Sequence, residues 1–202
     1  MPAAPQPWSS RMPNFRRAYV PGGTFFFTVV TDQRAPFLCD APARRLLGKV
    51  IRQCQARWPM QIDAVVLLPD HLHTIWTLPP GDKSYSKRWG WVKKEFTRAW
   101  LADRHAEQPQ TAGRIRDGRR GVFQAKFWEH AIRDEHDLGR HFDYIHYNPV
   151  KHGVAACPHR WPWSSSRRWV RAGAYNEDWG CVCSGMQPSA MDFSDVAATA
   201  GE

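Results

Sequence analysis

The chain has 202 residues and no run of 18 or more apolar ones, which sets it at one medium domain with a real core and gives no segment long enough to span a membrane. The formal charge of +9 is uneven: no Lys or Arg follows Arg171, and setting aside the five acids beyond it (Glu177, Asp178, Asp192, Asp195, Glu202) leaves residues 1–171 at +14. A domain that basic, in a chain with 11 Trp, points to a polyanion with bases available for stacking; a basic protein with a Trp-rich core is the plainer alternative.

Residues 1–20 are Pro-rich and basic (Arg11, Arg16, Arg17) and read as a flexible arm. They lack the apolar core of a signal peptide, so the expected location is cytoplasmic. The β-branched, aromatic run 22–31, bounded by Gly22-Gly23, predicts a strand. Over 41–58, Leu46, Leu47, Val50, Ile51 and Cys54 recur at helical spacing, and Trp58-Pro59 closes the helix. Residues 60–69 predict a second strand, Pro69-Asp70 a turn, and 71–80 a third strand antiparallel to the second, because the connection is so short. A basic amphipathic helix follows over 84–102, then an aperiodic Arg- and Gly-rich loop over 103–120. Residues 121–134 read as a strand or irregular extension. An acid-led helix spans 135–150 and ends near Asn148-Pro149, and a loosely held acidic tail covers 175–202. Helices mixed with sequential strands favour an α+β domain on a mostly antiparallel sheet. Five cysteines (Cys39, Cys54, Cys157, Cys181, Cys183) form no CxxC pair and are odd in number, which argues against a disulfide framework or structural zinc.

In a strand, His71 and His73 share a face while Leu72 takes the other. They are either surface decoration or two thirds of a metal site. "DYIHYNPVKHG" (143–153) is the strongest source of a third ligand. Tyr144 and Asn148 lie four apart, on one helical face, and an asparagine carbonyl is a neutral oxygen ligand suited to Mg²⁺ or Mn²⁺. Tyrosine is a poor nucleophile at its usual pKa of roughly 10, but it becomes credible against a metal-polarised phosphodiester. Tyr147 is its rival, turned further from the face of Asn148. The basic helix (Lys87, Arg88, Lys93, Lys94, Arg98), the arm (Arg16, Arg17) and Lys151 are candidate DNA-backbone contacts, and Glu129 and His130 candidate partners of the metal ligands.

"LPDHLHTIWTLP", "RWGWVKKEFTRAW", "FWEHAIRD" and "DYIHYNPVKHG", in that order and spacing, resemble the REP-associated tyrosine transposases, single-tyrosine HUH nucleases. The similarity runs from about Arg17 to about Trp163. It implies a ferredoxin-like central antiparallel sheet flanked by helices, with a nuclease domain over 21–171 and the acidic tail over 172–202. It also implies Mg²⁺ or Mn²⁺ held by His71 and His73, with Tyr144 as nucleophile and Asn148 at the polar position one turn later. The implied activity is recognition of palindromic, REP-like DNA hairpins and cleavage and rejoining of single strands through a 5′-phosphotyrosine. It would belong to a nucleoid-associated monomer in preference to a dimer. The alternatives are a hairpin-binding regulator that no longer cuts and, more distantly, a hydrolase of small phosphoesters. The acidic tail is read as solvated, with folding back over the basic cleft as the other possibility.

Overall fold

The computed structural model describes residues 18–183 and 191–200. Strand β1 (Thr24–Val30) is buried along nearly its whole length, as its unbroken β-branched and aromatic composition demands of a central strand. It pairs antiparallel with β3 (His71–Thr77) on one side and β4 (Trp128–Ala131) on the other. Strand β2 (Gln61–Leu67) completes the order β2-β3-β1-β4, and the short Leu68–Asp70 connection makes β2 and β3 antiparallel neighbours.

Alternation divides the sheet into two faces. Phe25, Phe27, Val29, Leu72 and Trp76 meet helices α1 (Ala41–Arg57) and α2 (Tyr85–Ala102) in an aromatic core, where Trp76 stacks on Trp89 at 4.2 Å. Large rings of this kind each remove about 150–250 Å² from water, so this face supplies much of the folding free energy. Phe26, Ala64, Val66 and Ile75 on the other face meet Tyr144 and Ile145 of α4 (Glu135–Lys151). Helix α4 begins well: Asp134 accepts from the Asp137 N–H at 2.8 Å, and Glu135 and Asp137 sit in the positive first turn.

Several features differ from the sequence reading. A five-residue helix, α3 (Ala112–Arg116), interrupts the 103–120 loop; it is too short to show a period and is capped by Thr111. Helix α4 runs through Pro149 only as far as Lys151, two residues later, and Gly153, at φ +66°, then closes it. After α5 (Ser166–Arg171), the acidic end is not loose throughout: α6 (Ser194–Ala200) packs on β4 and α4, with Phe193, Val196 and Ala200 buried beside Tyr144. The acids Asp195 and Asp192 engage Arg140 of α4, through its guanidinium at 2.5 Å and through the Asp192 carbonyl. Cys157 and Cys181 are joined, against the expectation of free thiols. None of the described helices is long and apolar enough to cross a membrane.

Candidate active site

His71 and His73 stand on the α4 face of the central β3, both buried, with their rings 4.9 Å apart. Each ring is oriented through Nδ1. The Asp70 carboxylate lies 2.7 Å from His71 Nδ1, and the Thr28 hydroxyl, on the paired residue of β1, lies 2.9 Å from His73 Nδ1. A proton held on Nδ1 by such a partner leaves the Nε2 lone pair as the ligand, the arrangement that metal-binding histidines use. Burial would raise the Asp70 carboxyl, but its bonds to His71 and Arg34 outweigh that and bring it down to about 2. Asp70 is therefore an anion held against the His71 ring.

Helix α4 lays its residues along these two histidines in register. The Tyr144 ring lies 5.4 Å from that of His73, and eight residues later the His152 ring lies 5.1 Å from that of His71. Asn148 falls midway between them on the same helical face. Its carboxamide is fully buried, and neither Oδ1 nor Nδ2 has a hydrogen-bond partner. Leaving such a group unmet costs about 1–3 kcal/mol, so this buried amide has hydrogen-bonding or ligating capacity to spare. Two neutral imidazoles and one amide oxygen fit a divalent cation that also takes oxygens from a phosphate. The Lys151 ammonium donates to the Tyr144 hydroxyl at 3.1 Å and lies 4.8 Å from its ring centroid. Tyr144 is itself fully buried, with Phe193 edge-on at 5.7 Å.

A second group lies beyond Phe26, whose ring touches both His73 and His141. His130 of β4 and Asp137 and His141 of α4 bring three ligand atoms within 4.8 Å of one another, a set that could hold a metal ion. Burial would raise Asp137, but hydrogen bonds from Arg133 and His130 hold it far below the usual carboxylate range. Burial lowers the pKa of His141, whose Nε2 has no partner. The sequence singled out His130 alone of these three. The seven-residue step from strand to helix that brings Asp137 to it leaves no periodic signal.

Not all the residues picked from sequence come together. Glu129 alternates to the α2 face, where Tyr85 donates to it at 3.2 Å, so the sheet itself separates it from the histidines. Arg88 is buried and donates to Asp82 at 2.5 Å and to the Pro59 carbonyl at 2.9 Å; it is a core ion pair and not a backbone contact. Lys87 lies over the Trp58 ring, and Lys93 donates to the carbonyls of Gln124 and Ala125. Exposed Lys94 and Arg98, with Arg120, line a groove on the α2 layer, across the sheet from Tyr144. Lys151 is on Tyr144. Arg16 and Arg17 lie outside the described residues. Tyr147 turns to Trp179 and Phe193, away from the histidines. His152 is a site-facing residue that the sequence motifs do not single out, although its spacing of four from Asn148 puts it on that face.

No family model matches the chain. It is 40% identical over 168 residues to the REP-associated tyrosine transposase of Escherichia coli, covering 83% of this chain and 91% of that one. It is 38% identical over 169 residues to a Haemophilus influenzae relative, covering 84% and 94%. A solved structure of a REP-associated tyrosine transposase bound to a REP hairpin superposes with a TM-score of 0.68 at 40% identity, again over 83% of this chain and 91% of that one. The four-stranded antiparallel sheet with its flanking helices is the fold of that transposase. The chain belongs to the REP-associated tyrosine transposases.

Proposed function

We propose that this protein cleaves and rejoins single-stranded DNA beside REP-like hairpins, as a monomer, with Tyr144 as nucleophile and Mg²⁺ or Mn²⁺ held by His71, His73 and Asn148. The observation that carries the reading is the alignment of Tyr144 and Asn148 along the oriented pair His71 and His73, with the Lys151 ammonium on the Tyr144 hydroxyl. The divalent cation would draw charge from a nonbridging oxygen of the scissile phosphate. Tyr144 loses its phenolic proton to solvent and attacks phosphorus. A Tyr144–phosphate bond forms, the bond to the 3′ oxygen breaks, and that oxygen leaves as a 3′-OH after taking up a proton. Lys151 stabilises negative charge on the phenolate oxygen before attack and again when the reverse step regenerates it. The bond energy is kept in the phosphotyrosine, so an incoming 3′-OH can rejoin strands without a further energy source.

The test is incubation with a hairpin-bearing oligonucleotide and Mn²⁺, scored for a covalent protein–DNA adduct. Tyr144→Phe is expected to abolish the adduct and leave hairpin binding intact, while Tyr147→Phe keeps both. The reverse pattern would move the nucleophile to Tyr147. Loss of the adduct on His73→Ala but not on His141→Ala places the metal at the first site, and the opposite outcome places it at His130, Asp137 and His141. A second reading, a hairpin binder that does not cut, draws on the full burial of Tyr144 under Phe193. Adduct formation by the intact chain would exclude it.

A further inference from the structure

Beyond the active site, the end of α4 carries a group of sulfur ligands. Cys157 precedes the 3-10 turn Pro158–Arg160, and Cys181 and Cys183 follow Gly180 twenty-four residues later. The sulfurs of Cys157 and Cys181 and a ring nitrogen of His159 all lie within 4.8 Å of one another. The Cys183 sulfur lies 3.1 Å from that of Cys157. His159 Nδ1 is buried and has no hydrogen-bond partner. A disulfide between Cys157 and Cys181 explains two of these four groups and leaves a third thiol and an unmet imidazole nitrogen beside it. One tetrahedral ion would take three of them, Cys157, His159 and Cys181, as they cluster here, with Cys183 beside Cys157 as the fourth: zinc–sulfur bonds of about 2.3 Å set ligand sulfurs roughly 3.8 Å apart, a little wider than the 3.1 Å between Cys157 and Cys183.

We propose that in its reduced state this protein holds a structural zinc ion on Cys157, His159, Cys181 and Cys183. A dithiol reductant supplies the two electrons and two protons that open the Cys157–Cys181 bond and is itself oxidised to a disulfide. Zinc binding then releases the three thiol protons to solvent. The pattern is Cys-x-His followed by Cys-x-Cys, so a search for CxxC spacing passes it by.

What the ion would fasten is the covering of α4. Gly180 sits against Pro158 and Tyr147 so closely that an added Cβ would lie 3.0 Å and 3.1 Å from them. Upstream of it, Tyr175 donates to Asp143 at 2.6 Å, next to Tyr144. A zinc clasp at residues 157–183 thus holds the segment that braces the tyrosine helix from outside the active site.

The experiment uses the full chain purified in a dithiol reductant. Expected are one zinc per chain by elemental analysis and, after exchange into Co²⁺, the visible and thiolate charge-transfer bands of a tetrahedral sulfur site. Cys183→Ser and His159→Ala are each expected to weaken metal affinity by no less than the roughly 10- to 100-fold that loss of a partner outside the ligand shell causes. Cys54→Ser, His71→Ala and His141→Ala should leave the sulfur-to-cobalt bands unchanged, which separates this site from both histidine groups. If Cys183→Ser does not fold, the wild-type chain still decides: zinc should protect these three cysteines from alkylation, and a chelator should expose them. A reduced chain with all five thiols titratable and no bound metal overturns the proposal. So does an intact mass that lacks two hydrogens, with the Cys157–Cys181 bond surviving reductant and no metal present.

Discussion

The Lys151 ammonium donates to the Tyr144 hydroxyl across two turns of α4, at 3.1 Å. A spacing of seven returns to nearly the same side of a helix, so Tyr144 and the cation on its hydroxyl ride on one rigid element. Lys151→Met should slow adduct formation by about 100-fold, the scale of losing one donor to a developing oxyanion, and Lys151→Arg should recover part of it. Were Lys151 instead a backbone contact, hairpin affinity would fall and its salt slope would shrink by about 1. Single-turnover rates and salt titrations on the same variants separate the two.

The buried amide of Asn148 gives a prediction of opposite signs. Asn148→Leu removes two unmet polar atoms and should raise the stability of the metal-free protein by about 1–3 kcal/mol. It should also remove most of the stabilisation conferred by Mn²⁺, which for an intact site reaches about 2.7 kcal/mol at a hundredfold excess over Kd. Thermal melts with and without Mn²⁺ read both effects. Equal metal response in wild type and variant would dismiss Asn148 as a ligand.

Phe193 packs edge-on against Tyr144, and α6 is tied to α4 through Arg140 and Asp195. DNA cannot reach a fully buried phenol, so the proposed reaction at Tyr144 requires the α6 segment to move first. Phe193→Ala and a chain ending at Cys183 should both form adduct faster than wild type, by about tenfold for each 1.4 kcal/mol of packing removed. An unchanged rate in the truncated chain would mean that α6 opens freely already.

Arg88 and the outer residues of α2 should part company. Arg88→Met breaks a buried pair and two carbonyl contacts, so its effect should be a loss of about 2–4 kcal/mol in stability with no change in the salt slope of hairpin binding. Lys94→Ala and Arg98→Ala should leave stability within about 0.5 kcal/mol. Each should lower the salt slope by about 1 only if DNA crosses the α2 groove. Denaturant melts paired with salt titrations test both.

Burial pushes the thiols of Cys39 and Cys54 up from 9.0 to about 11. Below pH 9 both states hold these protons and the folded protein keeps its full stability. As pH rises from 9 to 11, the unfolded chain sheds them first and stability declines. The thiolate fraction at pH 8 should be roughly 100-fold smaller than for an ordinary cysteine, so both should alkylate slowly at that pH. Mass-spectrometric mapping of alkylation at pH 8 and pH 10 reads this directly.

Much of the sheet was legible because its residues obey one rule at a time. Phe25 and Phe26 alternate, Leu47 and Val50 recur, and Pro69-Asp70 turns the chain, each within a short window. The pairing of His71 with His73, and of Tyr144 with Asn148, follows from the same local periods. What stayed hidden depends on distant segments meeting. Glu129 and His130 are neighbours in sequence, yet only the register of β4 on β1, Glu129 opposite Phe27 and His130 opposite Phe26, sends one to Tyr85 and the other to Asp137. Arg88 sits among exposed charges on α2 and is buried because Asp82 and the Trp58 and Pro59 carbonyls close over it. The clustering of Cys157 with Cys181 needs the chain after α5 to return to α4.

The bond from Thr28 to His73 spans the two innermost strands at a single rung of their ladder. A slip of one residue between β1 and β3 would send both imidazoles into the tryptophan layer and Leu72 out toward α4. The two histidines are therefore also a gauge of correct strand alignment. A molecule that has misthreaded its centre keeps none of the facing of His71 and His73 with Tyr144, and any chain that shows that facing has already threaded its sheet correctly.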